Sequence, residues 1–232
     1  MMLLSLFTRR GFLAALYMGA ASLFFTISFV WGSWAWCTLW PGIDCAIVGV
    51  AYGTGNPEIL AERRGVPSLL SRLLLLPYLS ATRFNSWCWV RGLPVAVEVC
   101  EGVWLGRVPS ATERRSLGMG SIVNLAPEMP ARLGGTPYRA IAMLDLIVPD
   151  SDRVDLAVAA INSFKAQRPT LICCALGYSR SAFTLATWLL ANGCVLSGQE
   201  AISALEELPR RVVLSSAYRS ALALWATARR TT

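Results

Sequence analysis

The sequence predicts an α/β domain with a mostly parallel central sheet flanked by helices, preceded by an N-terminal transmembrane helical hairpin. Three observations lead there. No charged side chain lies between Arg10 and Asp44. From Val97 onward, short buried apolar runs alternate with segments of helical periodicity. The 232 residues are 55% hydrophobic with mean hydropathy +0.50 and only 15% charged, too apolar for a wholly soluble globule and too poor in charge for disorder.

The uncharged run from Gly11 to Ile43 exceeds the ~20 apolar residues that an α-helix needs to cross the hydrocarbon core. A weaker stretch from Trp34 to Tyr52, with Pro41 and Asp44, reads as the second arm, the turn falling at Trp31-Gly32-Ser33. Trp31, Trp34, Trp36 and Trp40 then sit at the far interface, where indoles are favoured. Arg9 and Arg10 precede the hairpin and Arg63, Arg64 and Arg72 follow it, so the positive-inside rule puts both ends, and the domain after them, in the cytoplasm. Asp44 is the weak point, since an acid in hydrocarbon is costly unless it lies near the interface. Thr8-Arg9-Arg10-Gly11-Phe12-Leu13 looks like a twin-arginine export signal, but the apolar stretch runs far past the short core of a signal peptide. Residues 1–55 are therefore read as an anchor.

Residues 56–95 read as a linker. Its segment 66–91 mixes leucines, Trp87 and Trp89 with Arg72 and Arg83, which suits a chain lying in the membrane interface. Residues 96–232 form the α/β domain. Val103–Gly106, Ser121–Leu125, Tyr138–Leu146 and Pro169–Cys173 are its strands. Pro109–Leu117, Val154–Lys165, Ser181–Ala191, Gly198–Leu208 and Ser215–Arg229 are its helices.

Composition excludes several chemistries. With no histidine there is no Ser-His-Asp triad, no His-containing zinc site and no two-His iron site. The seven cysteines (37, 45, 88, 100, 173, 174 and 194) show no CxxC spacing and an odd count, and read as thiols in a reducing compartment. Neither metal nor cofactor is expected. Of the 21 basic residues all but Lys165 are arginine, scattered without a basic-aromatic platform, so nucleic acid is not an expected partner.

The chemistry is expected in Leu171–Ala182, LICCALGYSRSA, which places a strand, a tight loop and a helix in succession. The backbone N–H groups of Ala175, Leu176, Gly177, Tyr178, Ser179 and Arg180 can converge on one point, and the helix N-terminus adds its positive dipole end: an anion cradle matched to phosphate. Arg180 can hold two oxygens bidentately. Cys174 opens the loop, and the positive field there favours its nucleophilic thiolate form. Gly177 permits backbone angles that a side chain would forbid.

Cys174-Ala-Leu-Gly-Tyr-Ser-Arg180-Ser181 resembles the C-x5-R-[ST] signature of cysteine-dependent protein tyrosine phosphatases, in their dual-specificity branch. The likeness extends over most of residues 97–225, including Gly102–Gly106 and the strand Ala142–Leu146. Joined to a membrane hairpin, the domain is similar to bacterial membrane-associated dual-specificity phosphatases. That resemblance implies an enzyme of a bacterial cytoplasmic membrane in which Cys174 is the nucleophile of a phosphocysteine intermediate. Arg180 and the loop N–H groups stabilise the transferring phosphoryl group, and Ser181 assists the departing sulfur. A general acid is required, with Asp145, Asp150 and Asp152 as candidates. Asp145 is favoured, since it ends a strand where related enzymes carry their acid; Asp152 suits helix capping. The chain departs from the family before the nucleophile, where Cys173 replaces the usual histidine and where a vicinal Cys173–Cys174 disulfide is conceivable. The loop ALGYS has no basic side chain before Arg180, which argues against multiply phosphorylated inositol lipids. A phosphorylated protein or a singly phosphorylated lipid is the expected partner, with the bilayer. The alternatives are an inactive phosphate-binding module and a sulfur-transfer enzyme.

Overall fold

The structure, a computed structural model, describes residues 2–60, 69–126, 128–129, 135–166 and 169–230. They divide into two compact units, Met1–Asn85 and Ser86–Thr232.

In the first unit α1 (Met2–Trp31) ends at Gly32, a 3-10 turn follows (Ser33–Thr38), and α2 (Leu39–Thr54) returns alongside α1. Contacts pair ever-earlier residues of α2 with ever-later residues of α1, the register of an antiparallel hairpin. Arg10 Nη2 donates to Gly53 O at 2.9 Å, Tyr17 and Tyr52 stack at 5.7 Å, and Ser28 Oγ meets Thr38 Oγ1 at 2.6 Å. Gly49 lies against Met18 and Gly42 against Phe25 so closely that a Cβ would meet side-chain atoms at 2.9 and 2.8 Å. Small residues at such points let apolar helices approach. Among the described residues two segments are long and apolar enough to cross a membrane, Arg9–Trp31 (23 residues) and Ser33–Thr54 (22 residues), the first little buried and the second one-third buried. The turn falls where the sequence places it. Arg63 and Arg64, used above for orientation, lie outside the described residues.

Two short helices follow, α3 (Leu69–Leu74) and α4 (Leu76–Val90). Pro77 has no N–H, so the carbonyls before it lose their helical partners and the helix breaks. The side chains of α2 repair the break. Trp40 Nε1 donates to Leu73 O and Leu74 O at 2.9 and 3.2 Å, and Asp44 Oδ2 accepts from Tyr78 N at 2.5 Å. The acid that the sequence left exposed to hydrocarbon is thus buried as a helix cap. Asp44→Ala is expected to lower the stability of this unit by about 1–2 kcal/mol and Asp44→Asn by less, since it keeps an acceptor. Thermal unfolding in detergent checks this, and an unchanged midpoint in Asp44→Ala would remove the capping role.

The second unit is a five-stranded sheet of order β1-β2-β5-β3-β4: β1 (Ala96–Cys100), β2 (Val103–Arg107), β3 (Ser121–Asn124), β4 (Tyr138–Ala140) and β5 (Thr170–Cys174). All pairings are parallel except the β1–β2 hairpin. The helices α5 (Ala111–Leu117), α6 (Ser151–Lys165), α7 (Arg180–Ala191), α8 (Gly198–Glu206) and α9 (Ser216–Arg230) surround it. Ser110 and Glu113 start α5 with a reciprocal capping box, and Arg107 beside Glu113 helps hold that carboxyl down at about 2. Two features differ from the sequence reading. β1 (Ala96–Cys100) is a strand that the sequence reading, which starts the sheet at Val103, does not include. The strand expected over 138–146 is regular only over Tyr138–Ala140; beyond it Ile141 N and Met143 N still donate to Asn124 O and Leu125 O at 2.9 and 3.2 Å, while the Met143 carbonyl turns to Arg180. Central β5 is buried along its whole length and carries its C-terminal end to the crevice where open parallel sheets bind ligands.

Candidate active site

β5 delivers Cys174 to the start of the loop, and α7 begins at Arg180. The Cys174 carbonyl stays in the sheet, accepting from Val108 N at 3.0 Å, while its side chain turns to the loop. Cys174 Sγ accepts from Gly177 N at 3.2 Å and lies 3.3 Å from Ser181 Oγ. Gly177 has φ +73°, and a Cβ there would stand 2.5 Å from the Gly106 backbone, so the loop closes only with glycine.

Arg180 is buried and four groups share its guanidinium. Nη2 pairs with Glu128 Oε1 at 2.5 Å, Nη1 donates to Met143 O at 3.0 Å and to Leu125 O at 3.5 Å, and Nε lies 3.3 Å from Asp145 Oδ1. Burial opposes its charge, but the Glu128 and Asp145 carboxylates and the Cys174 sulfur more than offset that, raising its pKa well above the ordinary arginine value. The sequence did not point to Glu128. It follows a buried strand by four residues, a position no local pattern distinguishes.

A cavity of about 200 Å³ opens over the loop, lined by Cys174, Leu176, Tyr178, Ser179 and Arg180 together with Asp145, Leu146, Trp89, Arg211 and Val213. Of the three candidate acids only Asp145 faces it. Asp150 occupies the position before α6 and Asp152 its first turn, both outside the lining. Leu146, beside Asp145, has φ +61°, an unusual conformation for a leucine and one that concentrates at functional sites. Trp89, read from sequence as linker, enters the wall because its carbonyl accepts from Tyr178 Oη at 2.8 Å.

Cys173 faces away from this site. It packs with Ala96, Met119, Ile122 and Leu171 on one face of the sheet, whereas Cys174 belongs to the core cluster on the other. Burial pushes the Cys173 thiol well above its usual pKa. A vicinal disulfide needs both sulfurs on one side, so alternation along β5 removes that idea unless the strand unravels.

No protein-family model matches this chain, and no curated protein matches it in sequence. The fold is nevertheless that of the cysteine-dependent phosphatases of tyrosine and dual-specificity type. A mouse dual-specificity phosphatase, described as putative and solved with zinc tungstate, superposes with TM-score 0.54 at 16% identity, covering 61% of this chain and 92% of that one. PTPMT1 in complex with PI(5)P gives TM-score 0.53 at 16% identity over 60% and 100%. Human DUSP28 gives TM-score 0.51 at 19% identity over 59% and 96%.

Proposed function

We propose that this chain is a membrane-anchored cysteine-dependent phosphatase that hydrolyses phosphate monoesters through a phosphocysteine intermediate. The observation that carries this reading is the Cys174 sulfur held by the Gly177 N–H inside a loop closed by buried Arg180, with Asp145 at the same cavity. Sγ attacks phosphorus, the S–P bond forms and the P–O bond to the leaving group breaks while Asp145 supplies a proton to the departing oxygen. Arg180 and the loop N–H groups carry the charge that develops on the phosphoryl oxygens. Water then attacks phosphorus, Asp145 takes its proton, and Ser181 Oγ donates to the departing sulfur.

The anchoring rests on the exposure of two apolar helices, whose surface water would not tolerate and lipid does. Arg9, Arg10 and Arg72 flank them, and the positive-inside rule supports reading the catalytic unit as cytoplasmic at what we read as a bacterial inner membrane. Substrates are singly phosphorylated monoesters, on a protein or a lipid, because no basic side chain stands between Cys174 and Arg180 and the cavity walls are mostly apolar.

The test is acid-quenched turnover of an aryl phosphate by the detergent-solubilised chain, followed by mass analysis for a phosphoryl adduct on the peptide carrying Cys174. Vanadate binding without turnover or adduct would leave an inactive phosphate-binding module in its place. Asp145→Asn is expected to slow alkyl phosphates by about 10²–10³-fold and aryl phosphates with good leaving groups far less, since only poor leaving groups need the proton. Equal slowing of both classes would take Asp145 out of that role.

A further inference from the structure

A trans peptide is planar, with the C=O of one residue antiparallel to the N–H of the next. Whatever accepts a hydrogen bond on the outer side of a loop therefore aims the following N–H inward. Three consecutive carbonyls of the 175–179 loop are held in this way. Leu176 O accepts from Arg210 Nη2 at 2.5 Å, Gly177 O from Arg210 Nε at 3.4 Å, and Tyr178 O from Val213 N at 2.9 Å. The N–H that follows the first of them, Gly177 N, is the one that reaches Cys174 Sγ at 3.2 Å.

Arg210 is itself unusual. It is only 4% exposed, yet its bonds go to backbone carbonyls: Leu176 and Gly177 in the loop, and Pro94 and Val95 at the entry to β1. Among the described residues no carboxylate neutralises it. A guanidinium buried without a counter-ion is costly, and burial lowers its pKa accordingly. Arg211, next in sequence, is exposed and stands 5.7 Å over the Trp89 ring, so a position one residue away shows what an arginine without this constraint does.

We propose that Arg210 is a positioning residue for the phosphate loop, gripping the Leu176 and Gly177 carbonyls so that the N–H groups of Gly177 and Tyr178 face the Cys174 sulfur and the phosphoryl oxygens. It touches neither substrate nor reacting atoms. Its reach to Pro94 and Val95 also ties the loop to the chain that enters the sheet, so the loop is braced against β1 and against Gly106 of β2.

The inference rests on the phosphatase reading, and its test separates the two. The full chain in detergent is prepared as wild type, Arg210→Gln and Arg210→Lys. Three quantities are read: vanadate inhibition of aryl phosphate hydrolysis, the pH dependence of Cys174 alkylation by iodoacetamide, and the thermal unfolding midpoint. Arg210→Gln is expected to weaken vanadate binding about 10- to 100-fold and to shift half-maximal alkylation to higher pH. Arg210→Lys keeps the charge but cannot grip two carbonyls, so it is expected to lose vanadate affinity and to shift the alkylation profile in the same direction as Arg210→Gln, by less. A lower unfolding midpoint with vanadate affinity and alkylation profile both unchanged would reduce Arg210 to structural support and overturn the proposal. If Arg210→Gln fails to fold, wild-type vanadate affinity in Arg210→Lys overturns it equally. If the wild type neither hydrolyses aryl phosphate nor binds vanadate, the phosphatase reading fails. The alkylation profiles then still decide whether Arg210 controls the environment of Cys174.

Discussion

Cys174→Ser abolishes turnover, with kcat falling about 10⁴-fold or more, while phosphate and vanadate affinity stay within a few-fold of wild type. The two halves of this expectation come from different parts of the site. Bond formation to phosphorus needs the sulfur, and a serine hydroxyl in the same place, with no histidine anywhere in the chain to deprotonate it, is a poor nucleophile. Oxyanion binding comes from the loop N–H groups and Arg180, which the substitution leaves in place. Steady-state hydrolysis of an aryl phosphate, set beside direct vanadate binding, reads both. Residual activity of a few per cent in Cys174→Ser would move the nucleophile elsewhere.

Glu128→Gln destabilises the second unit by about 3 kcal/mol and slows catalysis as well. Arg180 and Glu128 are 1% and 4% exposed and 2.5 Å apart. Removing one partner of such a pair leaves a buried charge uncompensated, at a cost of ~3–5 kcal/mol. The lower figure applies because Asp145, 3.3 Å from Nε and 40% exposed, still offers a carboxylate. A loosened guanidinium also forfeits its fixed fork geometry, so kcat falls together with stability. Chemical unfolding in detergent, with and without saturating vanadate, measures the loss, and the bound oxyanion is expected to restore part of it by giving Arg180 a new partner. A change below about 1 kcal/mol would mean that Asp145 alone satisfies Arg180.

The site divides by chain distance. Cys174, the 175–179 loop, Arg180 and Ser181 were legible together as a candidate site because they are contiguous, at the end of one buried strand and the start of one helix. Asp145 was favoured among three acids by the resemblance, and the fold brings it, but neither Asp150 nor Asp152, to the cavity over Cys174. Glu128, Trp89, Arg210 and Arg211 were not legible. They reach the site from three separate segments, and nothing local marks a glutamate after β3 as the partner of an arginine 52 positions later. Cys173 shows the same limit, since its place beside the nucleophile suggested redox chemistry that strand alternation removes.

Local physics alone determined the apolar hairpin, the alternation of strands and helices, and the phosphate-loop signature, because hydropathy, periodicity and contiguous spacing are carried by neighbouring residues. Tertiary structure alone decided what surrounds that signature: the carboxylates that pair with Arg180, the arginine that grips the outer side of the loop, and the tryptophan that walls the cavity. It also decided what becomes of Asp44, a liability by hydropathy and a helix cap once Pro77 breaks the neighbouring helix beside it. In each case a buried charge or an unpaired backbone group is satisfied by a partner distant in sequence, and the energy of that satisfaction exists only after the chain has folded.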